Sequence, residues 1–545
     1  MYGQRSVMAP TAMVTSPHYL ASTAGLRILQ RGGNAVEAAI AAASTISVVY
    51  PHMNSLGGDN FWLIFHAKTG ELKALNASGR AGRRCTIEFY RSKGYDRIPA
   101  RGFLAANTVP GVVDGWWEAY QDAQQGMGSK LKWVELFDEA IHYAKDGCPV
   151  TPSQERWTKV NLDAGDDRFR HLQRFQGFCK TYLKSDGTPY RAGERFVQKD
   201  LAETLRRIAE GGRDAFYEGE IAERIVRYLN EHGGVLTEED FADHRSDWVT
   251  PLRGTYRGLD VYQLPPPTQG LAALALLQIL DHLDLKALGE ETADYYHVIV
   301  EATKLAFADR DRWITDPSFV SIPTEKLLDR GYARGRAGEI DMKRAKPSYA
   351  PGDMAGDTIW LGVVDGAGNA VSLIQSIYFD FGSGVVAEGA GVLLQNRGSF
   401  FSLEPSHVNH LEPRKRTFHT LIPAMILKAG RPSLVYGTMG GEGQPQTQAA
   451  LVSRIVDFEM GVQEAIEAPR WLYGRTWGME MADLSVEGRI SGDVIEELKR
   501  RGHPVKILEP WSETMGHAQA ILIDHETGMK HGGADPRGDG IAVGY

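Results

Sequence analysis

A chain of 545 residues, 43% hydrophobic and 24% charged, has the apolar content for a large folded core, which excludes overall disorder but leaves open whether the chain forms one unit or several. Lys and Arg number 60 against 69 Asp and Glu, a mildly acidic balance without a long basic run, so nucleic acid is excluded as the main partner and a small-molecule substrate is expected.

The opening stretch to Ala21 carries Pro10, Pro17 and polar residues in place of an apolar signal core. No later stretch reaches membrane-spanning length, so a cytoplasmic protein with no membrane partner is expected. His18 to Arg31 reads as a helix stopped by Gly32-Gly33, and Asn34 caps a second, alanine-rich helix running to Tyr50, whose backbone must approach a neighbour closely. Phe61 to His66 and Leu72 to Ala77 read as a hairpin. Helical periodicity returns at Val113 to Asp122 and Leu131 to Lys145, with Trp116, Trp117 and Tyr120 as a core stripe. It continues through Leu201 to Glu210, Glu218 to Glu231, Glu238 to His244, Gly270 to Leu283 and Thr292 to Trp313, with one strand at Tyr256 to Gln263. After a break at Lys346 to Asp357, strands are expected at Val385 to Leu394, Leu421 to Leu427, Ser433 to Tyr436, Ala518 to Ile523 and Met529 to Gly533. Helices are expected at Gln446 to Phe458, Val462 to Ala468 and Val494 to Arg501. Helix-rich and strand-rich regions in this order imply sheets between helical layers. Cys85, Cys148 and Cys179 show no Cys-x-x-Cys spacing, so neither a disulfide framework nor a zinc site is indicated, and reduced, packed thiols are expected.

The stretch from Gly356 to Ser383 draws attention for its chemistry. Ile359 to Val364 and Ala370 to Ile377 are rich in apolar and β-branched residues, and Asp365-Gly366-Ala367-Gly368-Asn369 between them suits a tight hairpin. Pro347, Pro351, Gly352 and Gly356 ahead of it cannot continue a helix or ladder, so a flexible segment is expected to run into Thr358 at the head of a core strand. Thr358 therefore reads either as a strand-start threonine in an uncut chain or as a nucleophile whose α-amine, released by cleavage between Asp357 and Thr358, serves as its base. Gly440 and Gly441, between a strand and a helix, read either as a simple turn or as a backbone oxyanion hole. The run Arg414 to Thr420 is either a solvated loop or part of a site. His407 and His410 lack supporting ligands for a metal, and the glycine pairs lack a nucleotide fingerprint, so neither metal nor cofactor is expected.

Taken together these residues resemble the γ-glutamyltranspeptidase superfamily of N-terminal nucleophile hydrolases across nearly the whole chain. The motifs are Gly32-Gly33-Asn34-Ala35-Val36-Glu37-Ala38, Asn54-Ser55-Leu56-Gly57-Gly58-Asp59, Thr108-Val109-Pro110-Gly111, Thr358 to Gly384, Gly440-Gly441 and the ending Asp535-Pro536-Arg537 to Gly544-Tyr545. The resemblance implies an α+β fold, a four-layer αββα sandwich. It also implies autoproteolysis into a large subunit, 1–357, and a small subunit, 358–545, that stay associated as an αβ heterodimer and together form one unit. Thr358 is then the nucleophile, Ser376 supplies a supporting hydroxyl where relatives have threonine, and Gly440 and Gly441 form the oxyanion hole.

At the specificity positions the chain departs from the transpeptidases. Ile87 falls where they have the arginine for the γ-glutamyl α-carboxylate, with Arg83 and Arg84 near. Tyr378 replaces an asparagine, His419 and Thr420 replace a serine pair, and Arg397 and Phe400 fall where their acidic residues bind the α-ammonium. A guanidinium in place of a carboxylate repels an ammonium and grips a carboxylate, unless Arg397 is used up in a structural ion pair. The pattern looks most like the oxamate amidohydrolase and cephalosporin-acylase-like branch. It implies a hydrolase for a small carboxylate-bearing amide, with oxamate and glutaryl-type amides the leading substrates. A γ-glutamyl hydrolase or transpeptidase with a rearranged pocket and an uncleaved binding protein are the alternatives.

Overall fold

Residues 5–128, 130–162, 171–347, 357–474 and 483–545 are described by the computed structural model. Its two large sheets are seven-stranded and antiparallel. In chain order their strands are β1 (Val7–Ala9), β2 (Met13–Ser16), β3 (Asp59–His66), β4 (Glu71–Ala77), β5 (Asp247–Val249), β6 (Leu252–Tyr256), β7 (Leu259–Gln263), β8 (Asp357–Val364), β9 (Ala370–Tyr378), β10 (Ala424–Lys428), β11 (Arg431–Thr438), β12 (Ala518–Ile523), β13 (Lys530–Ala534) and β14 (Ile541–Gly544). One sheet runs β1-β13-β12-β11-β10-β7-β6 and the other β14-β2-β8-β9-β3-β4-β5.

The hairpin expected around Asp365 is the centre of the second sheet, with β8 between β2 and β9, and β9 between β8 and β3. Period-two alternation sorts its side chains between two cores. Trp360, Val364 and Ile374 face the other sheet, beside Met13, Phe61, Met425, Val435 and Ile521. Ile359, Leu361, Val363, Val371 and Leu373 face the helices. That helical layer includes α1 (Tyr19–Gln30), α2 (Ala35–Val49), α3 (Val112–Gly126), α4 (Asp138–Asp146) and α5 (Lys199–Tyr217). Helices α6 (Gly270–Leu280), α7 (Ala293–Trp313), α8 (Gln444–Val456), α9 (Val462–Glu467) and α10 (Gly492–Arg500) cover the outer face of the first sheet. The result is the expected four-layer αββα sandwich.

Local chemistry explains the helix starts. Asn34 caps α2 by accepting from Val36 and Glu37, while the Glu37 carboxylate reaches back to the Asn34 amide. The alanine-rich face of α2 does allow close approach: a Cβ on Gly25 of α1 would lie 3.1 Å from the Ala38 carbonyl. Trp116 and Tyr120 are core, as their spacing suggests.

Several boundaries differ from those expected. Tyr256 to Gln263 is not one strand but belongs to a hairpin, β6 and β7, turned at Arg257 and Gly258, both with positive φ. Helix α5 continues to Tyr217 through a kink at Gly212 in place of stopping at Glu210. Val385 to Leu394 holds two short strands, Val386–Ala387 and Val392–Leu393, because Gly389 and Gly391 turn the chain between them. Cys85 and Cys148 are buried and all three thiols are free. Among the described residues no helix is long and apolar enough to cross a membrane. The expected flexible segment between Pro347 and Asp357 lies outside the described residues.

Candidate active site

Thr358 is the second residue of β8, at an irregularity of register: Asp357 pairs with Tyr378 but Ile359 pairs with Gln375. Such a bulge re-aims a side chain at the end of a ladder. Thr358 is 1% exposed, and its Oγ1 has no hydrogen-bond partner among the described residues. A buried hydroxyl without a partner is costly in a purely structural role. Two residues on, the Trp360 indole lies against Gly437, where a Cβ would come within 2.2 Å of the ring. This contact sets the start of β8 against the end of β11, which leads directly into Gly440.

Gly440 and Gly441 have φ of 123° and 53°, left-handed values that favour glycine. Neither amide N–H has an acceptor among the described residues, whereas the turn around them is firmly held. Met439 N–H donates to the His517 carbonyl at 3.1 Å, and the Gln269 amide donates to the carbonyls of Gly441 and Thr420 at 2.9 and 2.8 Å. Arg310 in turn donates to Gln269 at 3.2 Å and to Glu442 at 2.5 Å. Two N–H groups without an acceptor on a firmly held turn are suited to stabilising a developing oxyanion.

Through Gln269 this turn connects to the specificity residues. Arg397 is 1% exposed and donates from Nη1 to Thr420 Oγ1 at 3.0 Å and from Nη2 to Ser376 Oγ at 3.3 Å. Its guanidinium carbon lies 4.3 Å from the Tyr378 ring centroid and 5.6 Å from that of Phe400, with Phe379 and Phe418 completing an aromatic surround. Among the described residues no carboxylate lies within ion-pair distance of Arg397, and its Nε has no partner, so the ion-pair alternative is not realised. Burial lowers its pKa to about 10, opposed by Tyr378 and Asp59; at neutral pH it remains a cation. Ser376 Oγ accepts from the Tyr378 amide at 2.8 Å as well as from Arg397, and is not bonded to Thr358. Tyr378 itself has φ of 82°, an unusual conformation for an aromatic residue.

His419 and Thr420 are buried, as are Lys415, Arg416 and Thr417, so the run from Arg414 is not a solvated loop. His419 Nε2 donates to Asp59 at 3.2 Å. Burial, with Arg397 and Arg416 nearby, holds this imidazole well below its usual pKa, which makes the contact a hydrogen bond of neutral histidine and not an ion pair. Asp59 also accepts from Gly79 and Gly111 amides and Gln395, and burial raises its pKa to about 6. Asp59, Gln269 and the Arg310–Glu442 pair were not among the expected site residues. Asp59 closes the Leu56-Gly57-Gly58-Asp59 motif, whose position was visible; nothing in its local sequence points to His419. Arg83 is tied at the surface to Glu239 at 2.5 Å and to Asp243, outside the Arg397 pocket. His410 contacts Glu412 through Nε2 at 2.6 Å and the His407 carbonyl through Nδ1 at 2.8 Å.

Two sandwiched antiparallel sheets with a buried threonine at the head of a central strand define the N-terminal nucleophile hydrolase fold. The sequence pattern described as Gamma-glutamyltranspeptidase matches residues 21–545, and the chain belongs to that family. It is 48% identical over 540 residues to the glutathione hydrolase-like YwrD proenzyme of Bacillus subtilis, with 99% of each chain covered. It is 46% identical over 534 residues to the oxamate amidohydrolase proenzyme of Klebsiella pneumoniae, with 98% of each covered. The crystal structure of cephalosporin acylase from Bacillus halodurans superimposes with a TM-score of 0.90 at 37% identity, covering 100% of this chain and 98% of that one. The protein is a hydrolytic enzyme of the amidohydrolase type.

Proposed function

We propose that the chain is an autoprocessing N-terminal threonine amidohydrolase that acts on a small carboxylate-bearing amide, with oxamate the leading substrate and glutaryl-type amides next. The observation that carries the substrate class is Arg397, a buried cation without a carboxylate partner, beside Ser376 and Thr420 and beneath Tyr378. A substrate carboxylate supplies the missing anion, and a substrate ammonium meets repulsion. His419 donates to Asp59, the buried carboxylate whose charge also acts on Arg397.

Processing begins when Thr358 Oγ attacks the Asp357 carbonyl carbon. The C–N bond breaks as the nitrogen takes the proton, leaving an ester that water cleaves to an Asp357 carboxylate and a free Thr358 α-amine. The products are a large subunit, 1–357, and a small one, 358–545, held together as an αβ heterodimer. In turnover the α-amine accepts the Thr358 hydroxyl proton during attack on the substrate amide. Gly440 and Gly441 N–H groups donate to the oxyanion, and the proton passes to the departing amine or ammonia. Water then hydrolyses the acyl ester and regenerates Thr358. Ser376 holds Arg397 and the Tyr378 amide in place beside the nucleophile. Three free cysteines fit a reducing, cytoplasmic setting.

The test is a panel of carboxylated amides assayed for ammonia or amine release, comparing the parent with Thr358→Ala. The mutant is expected to lose both cleavage and turnover; retained turnover would place the chemistry elsewhere. The relative named a glutathione hydrolase-like proenzyme supports a second reading, γ-glutamyl hydrolysis or transfer. Strong transfer from a γ-glutamyl anilide to a dipeptide acceptor would favour it over the first. A single full-length band after long incubation would favour an uncleaved binding protein over both.

A further inference from the structure

Away from the site, α7 carries a row of buried ionisable side chains that the chemistry above leaves unused. His297, Glu301 and Lys304 follow i, i+4, i+7 spacing on one face and are 0%, 1% and 3% exposed. His503, from the chain beyond Thr358, is 3% exposed and meets His297 Nδ1 through Nε2 at 2.8 Å. Burying such groups is costly unless they are paired or hydrogen-bonded.

What they hold is the chain between Asp341 and Lys346. His297 Nε2 donates to the Asp341 carbonyl at 2.8 Å; its Nδ1 must therefore accept, and His503 Nε2 donates to it. Glu301 receives the Lys304 ammonium on one oxygen at 2.7 Å and the Lys346 amide on the other at 3.0 Å. Lys304 donates again to the Lys346 carbonyl at 2.8 Å, so both backbone groups of Lys346 are gripped by one buried ion pair. The Ala345 amide donates to the Arg501 carbonyl at 2.7 Å, and the Lys304 ammonium lies 5.1 Å from the Tyr473 ring centroid. The gripped segment is otherwise largely exposed and makes no strand or helix. His297, His503 and Glu301 have the ligand types of a metal site. Lys304 already neutralises Glu301, however, and the His297 imidazole is bonded at both nitrogens, which leaves His503 Nδ1 as the one buried ring nitrogen of the pair without a partner among the described residues. Burial lowers the pKa of both histidines, His503 to about 3, so both are neutral at physiological pH.

We propose that His297, Glu301, Lys304 and His503 form an anchor that fixes the chain upstream of the Asp357–Thr358 bond and thereby sets the rate of autoprocessing. This rests on reading that bond as the processing site. Large-subunit residues grip the segment and Arg501 of the prospective small subunit accepts from its Ala345 amide, so the chain is fixed at Lys346 on one side and at Asp357, where β8 begins, on the other. These are positioning residues; none touches the substrate.

The test follows cleavage of freshly translated full-length chain by denaturing gel, and separately measures kcat and KM of fully cleaved enzyme. The variants are Glu301→Gln/Lys304→Met, which removes both charges together so that neither is left buried alone, and His503→Ala. Cleavage is expected to slow about tenfold to a hundredfold, in line with the rate cost of misplacing a reacting group by about 1 Å, while kcat and KM of the cleaved fraction stay at parent values. Parent-rate cleavage in folded variants would overturn the anchor while leaving the nucleophile assignment intact. A parent that never cleaves would overturn both. Loss of kcat in step with cleavage would reduce the cluster to general fold support, and stoichiometric zinc in the purified protein would make it a metal site instead.

Discussion

Arg397 concentrates the specificity question in one guanidinium. Truncating one partner of a buried charged contact costs roughly 2–5 kcal/mol, so Arg397→Met is expected to raise KM for a carboxylated amide by at least about thirtyfold, the lower end of that range. The same substitution is expected to leave KM for a neutral analogue much less changed. Equal losses on both substrates would remove Arg397 from carboxylate recognition. Although burial lowers its pKa, the Arg397 guanidinium stays charged through the neutral and mildly alkaline range, so KM for the carboxylated amide is expected to stay flat from about pH 7 to about pH 9. Tyr378 supplies a separate stability test. Its φ of 82° suits glycine but strains any L-residue by roughly 1 kcal/mol or more. Tyr378→Gly should thus unfold at higher denaturant than Tyr378→Ala, the reverse of the order in an ordinary strand. The sequence exposes these residues through their departures from the family pattern, because a reversed charge at Arg397 is visible without coordinates. It does not expose Asp59 as the partner of His419. The two lie 360 positions apart, and only the packing of the two sheets brings them together.

Among the elements, the β8–β9 hairpin was legible because both strands are long, β-branched and separated by Asp365, whose carboxylate ties the turn to Ala367, Asn369 and the start of α2. The β6–β7 hairpin was not. Its turn residues, Arg257 and Gly258, offer a weaker signal than an Asn-Gly or Asp-Gly pair, so Tyr256 to Gln263 reads as one strand. The packing of β8 on β11 was also invisible locally, since Gly437 reads as an ordinary strand glycine until the Trp360 ring is found against it. A methyl there must displace the indole or separate the sheets. Gly437→Ala is expected to cost about 1–3 kcal/mol, as overpacking does, and to slow processing, because Thr358 and Gly440 flank this contact. Unchanged stability and cleavage would show that the two sheets can part here without cost. Gly430→Ala is a control for methyl addition at a strand turn, where a Cβ meets no neighbour but φ is 75°.

At the scale of the whole molecule, the proposed cleavage point cuts between neighbours in both sheets. In one sheet β14 belongs to the small subunit, β2 to the large, β8 and β9 to the small, and β3, β4 and β5 to the large. In the other, β1 and the β7–β6 pair come from the large subunit and flank four strands from the small. Every such junction is an antiparallel ladder, and β8 and β9 are buried on both faces between layers. Separating the subunits therefore requires breaking the ladders β14–β2, β2–β8, β9–β3, β1–β13 and β10–β7 along with the shared cores, which is equivalent to unfolding. Cleaved enzyme is expected to elute as one species in native buffer. In a urea series, subunit separation by size-exclusion chromatography and loss of far-ultraviolet circular dichroism should share one midpoint. Release of an intact small subunit at lower urea than the loss of ellipticity would mean that the small subunit folds independently, and would refute the single interleaved unit.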